Sequence, residues 1–368
     1  MSWMNTREAI RKFRPLLFAG NFFYDFDTVP LRANNLTWRK RINLVQCGLD
    51  TALKKTRLWS MPPTIQIEPT NLCNLSCPLC SANSAEPGRR KGMMSMETFN
   101  AILEELGDFL LTAILYNSGE PFINKDLPKM IAACTARNIL TLTSTNGQYL
   151  QTLEEALEVV DAGLTAIIIA MDGSTQEIYQ IYRRGGDIEK VKRCTALIEE
   201  AKAIRNSSFP YTNLRAVVMQ QNQDDLPNIA HLGRELGVNM VSYKTAGSAL
   251  FDDYAPYETT RQEFNRYEYV DGKRQKKALI KCPYPFRQPS IFWDGTVAGC
   301  QRDYEKMEAF GRIGEQPFAQ IWNGEKAREL RRIISFEPKR PAFCARCRSQ
   351  NRIRENILSS VELRPVSD

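Results

Sequence analysis

Short runs that are almost wholly apolar alternate with amphipathic helical stretches from residue 64 to about residue 245. This alternation restricts the fold more than any other feature of the chain. The periodicity predicts strands over Thr64–Glu68, Thr112–Asn117, Leu140–Ser144, Ala166–Met171, Leu214–Met219 and Met240–Lys244. Between them lie helical patterns over Met96–Phe109, Leu127–Arg137, Leu153–Ala162, Ile188–Ile204 and Leu226–Leu236. Strands apolar on both sides belong in a parallel sheet covered by helices, and six strand–helix units suit an α/β fold of the partial (β/α)6, TIM-like barrel type. In such a barrel the loops at the C-terminal ends of the strands carry the chemistry.

The loop after the first strand holds Cys73, Cys77 and Cys80, spaced C-x3-C-x2-C. Three thiolates on one tight loop hold three irons of a 4Fe–4S cube and leave the fourth iron open to a ligand. A three-thiolate zinc site would need a fourth donor, usually histidine, and the only histidine is His231, within a helical pattern far along the chain. A second cysteine group, Cys282, Cys300, Cys344 and Cys347, ends in a C-x2-C knuckle and surrounds Trp293-Asp294-Gly295, which reads as a hairpin turn. Four thiolates so arranged enclose either a second 4Fe–4S cluster or a structural zinc ion.

Further motifs stand at the other strand ends, Ser118-Gly119-Glu120-Pro121, Thr145-Asn146-Gly147, Met171-Asp172-Gly173 and Met219, with Tyr182-Arg183-Arg184 downstream of the fourth strand. With the three-cysteine loop, these resemble the radical S-adenosylmethionine (SAM) superfamily over roughly residues 64–350. The resemblance implies a catalytic 4Fe–4S cluster on Cys73, Cys77 and Cys80 whose open iron chelates SAM. It also implies SAM contacts from Ser118, Gly119, Glu120, Asn146, Asp172, Arg183 and Met219. Ala170 stands where relatives often carry a serine, which removes one expected contact. The last four cysteines, followed by Gly314 and Ile321-Trp322, resemble the SPASM or shortened twitch domain, implying one auxiliary 4Fe–4S cluster.

The expected division is a helical N-terminal extension over 1–60, the barrel over 61–250, and a bridge with the auxiliary-cluster domain over 251–368. The extension shows no strand alternation. Thr6–Phe18 and Leu36–Leu58 read as basic amphipathic helices, the second with Trp38, Leu44, Val45, Leu49 and Leu53 on its apolar side. They are expected to pack on the core or to meet a membrane surface, carrier or other partner. Cysteines bunched in ligand spacings fit a reducing compartment, so a cytoplasmic protein is expected. The net charge of +7 reads as a solvated basic surface, with no nucleic-acid signal.

The resemblance implies an enzyme that reductively cleaves SAM to a 5′-deoxyadenosyl radical, with an external reductant such as flavodoxin or ferredoxin. The radical would abstract hydrogen from a small polar molecule, a sugar or aminocyclitol, in an oxidation whose electron passes to the auxiliary cluster. A redox-neutral epimerase would need a hydrogen donor, and only Cys47, Cys134 and Cys194 remain after the ligands are set aside. A peptide-modifying maturase is the other enzymatic alternative, and a plain iron–sulfur or zinc binding module the non-enzymatic one. No single general base is legible; Lys244, Asp252, Asp253 and Tyr254 stand near the end of the last expected strand.

Overall fold

The structure is a computed structural model that describes residues 15–82, 90–246, 255–264, 269–270, 273–274, 282–303, 306, 308–337, 341, 344 and 357–364. Its strands are β1 (Phe22–Phe26), β2 (Val29–Ala33), β3 (Thr64–Ile67), β4 (Thr112–Leu115), β5 (Leu140–Thr145), β6 (Ala166–Ala170), β7 (Tyr211–Val218) and β8 (Met240–Thr245), followed by β9 (Tyr269–Val270), β10 (Lys273–Arg274), β11 (Ser290–Ile291), β12 (Thr296–Ala298), β13 (Ala309–Arg312) and β14 (Ile357–Glu362). The helices are α1 (Trp38–Ala52), α2 (Met96–Leu106), α3 (Leu127–Thr135), α4 (Leu153–Asp161), α5 (Gln176–Tyr182), α6 (Ile188–Ile204), α7 (Leu226–Glu235), α8 (Tyr284–Arg287), α9 (Phe318–Trp322) and α10 (Glu325–Phe336).

Strands β3 to β8 pair in parallel and in sequence order, with a helix crossing between each pair, which is the TIM-like partial barrel expected from the alternation. Helices start where side chains can cap them: Ser95, Thr152 and Thr175 each accept from the backbone amide three residues on, and Thr152 with Glu155 forms a full capping box. One set of strand residues, including Ile65, Ile67, Leu115, Ile167 and Leu214, packs against these helices in the main core. The sheet continues past the barrel at both edges. Strand β11 adds in parallel to β3 and leads the antiparallel β12 and β13, while β14 pairs antiparallel with β8. The turn at Trp293-Asp294-Gly295 joins β11 to β12 as expected, with Gly295 at φ 82°.

The N-terminal extension departs from expectation. Residues 1–14, which hold most of the first expected helix, lie outside the described residues. Strands β1 and β2 then form a hairpin, where no strand was expected. Its two-residue turn, Asp27-Thr28, has both φ angles positive, at 54° and 70°. That turn geometry ordinarily calls for Asn-Gly, and a β-branched threonine in the left-handed region is costly. The hairpin had no sequence signal because its turn lacks the usual residues and Pro30 interrupts β2. It holds because Val29 and Leu31 are buried against Ile114, Leu142, Ala166, Ile168, Tyr211 and Met240, the strand residues that face away from the helices. The hairpin therefore fills one end of the barrel.

Helix α1 is rotated from its expected orientation, so that only Leu44 and Val45 of its expected apolar side reach the core. It buries Lys40, Asn43, Cys47 and Asp50, and exposes Trp38, Ile42, Leu49 and Leu53. Lys40, Asn43 and one carboxylate oxygen of Asp50 find hydrogen-bond partners, which makes this orientation tolerable. Lys40 Nζ donates to the carbonyls of Arg137 and Asn138 just beyond α3, at 2.9 and 2.8 Å. Asn43 bonds both backbone groups of Met61, and Asp50 accepts from the amides of Trp59 and Ser60. Leu44 and Val45 are half-buried against Leu16, Ala33, Leu36 and Leu111.

Candidate active site

Five loops, those after β3 to β7, meet at the C-terminal ends of the barrel strands. The three-cysteine loop follows β3 directly. Its base is closed by Asn71, whose Oδ1 accepts from the Gly92 amide at 2.9 Å, and by Thr70, whose hydroxyl donates to the Gly92 carbonyl at 2.7 Å. Cys77 is buried, while Cys73 and Cys80 are half-buried. Cys73 Sγ accepts from the Leu75 amide at 3.5 Å and from Asn146 Nδ2 at 3.8 Å. Burial pushes the Cys77 thiol up to about 11 and also raises Cys73, so both need a neutralising metal to stand as thiolates. Among the described residues, no three His, Cys, Asp or Glu side chains converge on one metal ion. Thiolates distributed along a loop suit the separate corners of a cube better than a single zinc ion. His231 is remote from this chemistry, exposed on α7 with Glu235 at 3.3 Å.

The segment after β4 presses onto the cysteine loop. Gly119 has φ 81°, and a Cβ there would fall 2.5 Å from the Leu72 carbonyl and 2.7 Å from that of Thr70. Only glycine allows this approach. The next amide, of Glu120, donates to Leu72 O at 2.7 Å. The buried Glu120 carboxylate accepts from the Phe122 amide, the Thr145 hydroxyl and the Asn146 amide, the last at 2.7 Å. Burial outweighs these bonds and the nearby Arg183, and lifts its pKa to about 7. Ser118 Oγ donates to Glu68 at 2.8 Å. Asn146, after β5, reaches back to Asn74 Oδ1 at 2.9 Å.

After β6, buried Asp172 accepts from Arg183 Nε at 2.5 Å and from the Val217 amide at 2.7 Å. Burial works against the Arg183 charge, but Asp172 and the neighbouring cysteine Cys77 raise its pKa well above the ordinary value. The Arg184 carbonyl accepts from the Ser76 amide at 3.0 Å, which stitches this segment to the cysteine loop. Met219 is fully buried beside Leu79 of that loop, and its amide donates to Asn222. The structure therefore gathers Ser118, Gly119, Glu120, Asn146, Asp172, Arg183 and Met219 around the three cysteines.

Of the groups below this site the sequence pointed only to Lys244, and Asp27 and Arg215 were missed; Asp252, Asp253 and Tyr254 lie outside the described residues. Asp27, from the hairpin turn, holds Arg215 of β7 through Oδ2 and its carbonyl, and Lys244 of β8 through Oδ2 at 2.8 Å. Arg215 and Lys244 share strand parity with Tyr211 and Met240, on the face away from the helices. Burial works against ionisation of Asp27, but Lys244 and Arg215 overcome it and hold its pKa down at about 2. An isolated Asp27, 188 residues from Arg215, left no local signal in the sequence.

In the C-terminal part, Cys282 is half-buried and Cys300 and Cys344 are buried; Cys347 lies outside the described residues. Burial raises the Tyr284 phenol, with the Arg302 charge opposing and Cys300 and Cys282 adding. The Arg302 amide donates to Cys300 Sγ at 3.5 Å. Trp293 lies against Gly92, where a Cβ would collide with the indole, so this part abuts the segment closing the catalytic cysteine loop. Of the other cysteines, Cys134 and Cys194 are buried among the helices, and Cys47 lies against the Phe286 carbonyl.

The family model of the radical SAM superfamily matches residues 67–233, and that of an iron–sulfur cluster-binding domain, SPASM, matches residues 282–348. Fe-coproporphyrin III synthase of Methanosarcina barkeri is 23% identical over 333 residues, 78% of this chain and 80% of its own length. PqqA peptide cyclase of Gluconobacter oxydans is 32% identical over 184 residues, which is 50% of this chain and only 49% of that enzyme. Among solved structures, Streptococcus suis SuiB bound to precursor peptide SuiA superposes with a TM-score of 0.58 at 13% identity, covering 85% of this chain and 75% of SuiB. Native anSMEcpe with bound AdoMet superposes with a TM-score of 0.53 at 16% identity, covering 80% of this chain and 93% of that one. These structures share the fold. The chain belongs to the radical SAM superfamily, as a SAM-cleaving enzyme with a catalytic 4Fe–4S cluster and an auxiliary iron–sulfur cluster in a C-terminal SPASM domain.

Proposed function

We propose that this enzyme oxidises a small polar molecule, of the sugar or aminocyclitol class, held in the barrel between the SAM site and the hairpin. Cys73, Cys77 and Cys80 would hold the catalytic cluster, and Cys282, Cys300, Cys344 and Cys347 the auxiliary one. When bound, these groups supply a 5′-deoxyadenosyl radical that removes one hydrogen atom and an acceptor for one electron, while a proton leaves to a base. Glu120 would receive the SAM ammonium, with Ser118, Gly119 and Asn146 shaping that contact. Arg183 would bind the SAM carboxylate and Met219 would line the adenine. Asp172, engaged by Arg183 and Val217, acts in this reading by positioning Arg183 rather than by reaching a ribose hydroxyl. The functional division remains 1–60, 61–250 and 251–368.

The observation that carries the substrate class is the charged floor formed by Asp27, Arg215 and Lys244 at the end of the barrel closed by the hairpin. Such a floor favours a compact ligand with several polar groups. Cys47, Cys134 and Cys194 all pack away from that floor, which argues against a thiol hydrogen donor of the kind an epimerase needs. Peptide modification is the second reading. It draws on the 32% identity to a peptide cyclase across half of the chain.

The test is anaerobic turnover of the reconstituted enzyme with SAM and a flavodoxin or ferredoxin reductant, against a panel of sugars and aminocyclitols. Oxidation predicts one 5′-deoxyadenosine per product lighter by two hydrogens. A product of unchanged mass with solvent deuterium at the reacting carbon would overturn oxidation in favour of epimerisation. Turnover confined to peptides would overturn the small-molecule reading.

A further inference from the structure

A helix on a globular core ordinarily buries its apolar stripe and exposes its charges. Helix α1 does so only in part: Leu44, Val45 and Cys47 face the core, while four large apolar side chains do not. Trp38, Ile42, Leu49 and Leu53 recur at spacings of four and seven along one face and are 64, 52, 47 and 61% exposed. Phe18, at 83% exposure, extends the patch, because Arg41 donates to the neighbouring Leu17 carbonyl while its guanidinium lies 4.6 Å from the Trp38 ring centre. At the other end Lys55 sits 3.4 Å from the ring centre of Trp59, which is 58% exposed. Isolated exposed apolar residues are ordinary, but a continuous patch of large ones marks a binding surface.

The charges around the patch identify the occupant. Arg39, Arg41, Lys54, Lys55 and Arg57 border it, and the one acidic residue of the segment 38–57, Asp50, is buried under the helix. Arg39 has an acidic neighbour, Asp108 at 2.5 Å. A second copy docking through this face would set the same cations against one another. An acidic surface would be matched, and tryptophan with basic residues beside a leucine-rich stripe is the composition of a helix lying in a lipid interface. At 15 residues, α1 is too short to span a bilayer, and among the described residues no helix is long and apolar enough to cross one.

We propose that α1 docks the enzyme on an anionic lipid surface, lying in the interface with Trp38, Ile42, Leu49 and Leu53 in the acyl boundary and Arg41, Lys54 and Lys55 at the headgroups. This docking is independent of the substrate reading and places none of its residues in the reaction.

The experiment is co-sedimentation of the full-length, cluster-loaded protein with vesicles of equimolar phosphatidylglycerol and phosphatidylcholine, compared with phosphatidylcholine alone. The expected result is a partition onto anionic vesicles roughly tenfold or more above neutral ones, falling steeply at about 0.5 M salt, where charge screening is strong. The double variant Ile42→Glu/Leu49→Glu should lose that partition roughly tenfold or more while keeping its circular dichroism, iron content and SAM cleavage. The milder Ile42→Gln/Leu49→Gln serves the same purpose if the charged variant misfolds. Equal binding to both vesicle types, or binding unchanged in the variants, overturns the proposal. So does the absence of binding, and so does a dimer by light scattering that the variants split, which would mean that a second copy covers the stripe.

Discussion

The Glu120 carboxylate accepts the backbone amide of Asn146 at 2.7 Å, joining the loop after β4 to the loop after β5. Asn146 in turn touches Asn74 and Cys73, so one buried acid fixes the edge of the cysteine loop as well. Replacing Glu120 with Ala removes an acceptor from three donors. Loss of a charge-assisted hydrogen bond costs about 1.5–3 kcal/mol, so SAM affinity should fall roughly 10- to 100-fold, measured by anaerobic equilibrium dialysis. Glu120→Gln should restore part of the fold stability and little of the affinity, because it keeps an acceptor but loses the charge.

Gly119→Ala tests the contact between the same two loops. The new Cβ would lie 2.5 Å from Leu72 O at a φ of 81°, so the backbone must move away from the cysteine loop. Strain of about 1–3 kcal/mol is expected, seen as a lower melting temperature, together with weaker SAM binding. Unchanged SAM binding would show that the loop tolerates displacement.

Asp27 carries a pH dependence with a defined sign. Its folded pKa of about 2 lies below its unfolded value of 3.8, so its contribution is present above pH 3.8 and disappears as the pH falls towards 2. By linkage this amounts to about 2 kcal/mol. Asp27→Asn should lower stability at neutral pH and flatten its decline between pH 4 and 2, as measured by denaturant titration. If the barrel floor binds substrate, the same variant should also raise KM once a substrate is found.

Cluster loading separates the two cysteine groups. Anaerobic reconstitution should give about eight irons per chain, and Cys73→Ala/Cys77→Ala/Cys80→Ala about four, if each group holds a 4Fe–4S cluster. Iron of about four in the wild type, with zinc bound as well, would make the C-terminal site structural and remove the electron acceptor from the oxidation.

The sequence by itself determined the barrel and its cysteine loop. Six apolar strands and five helices are properties of local periodicity, and the ends of Ile188–Ile204 agree residue for residue. The three cysteines, Gly119 and Glu120 stood out in the sequence because they lie in short loops that follow strands, whereas Arg183, at the C-terminal cap of α5, stood out only through its motif. Only the tertiary structure decided the hairpin, the orientation of α1 and the charged floor. The Asp27-Thr28 turn carries no glycine, so burial of Val29 and Leu31 sustains a hairpin that local preference opposes. Hydrophobic patterning points α1 inward by its apolar stripe, but backbone groups of Arg137, Asn138, Met61 and Ser60 engage Lys40, Asn43 and Asp50 instead. Those partners lie up to 98 residues away, and Asp27 meets Arg215 across 188. Periodicity reports on neighbours along the chain, whereas these contacts exist only once the barrel has closed.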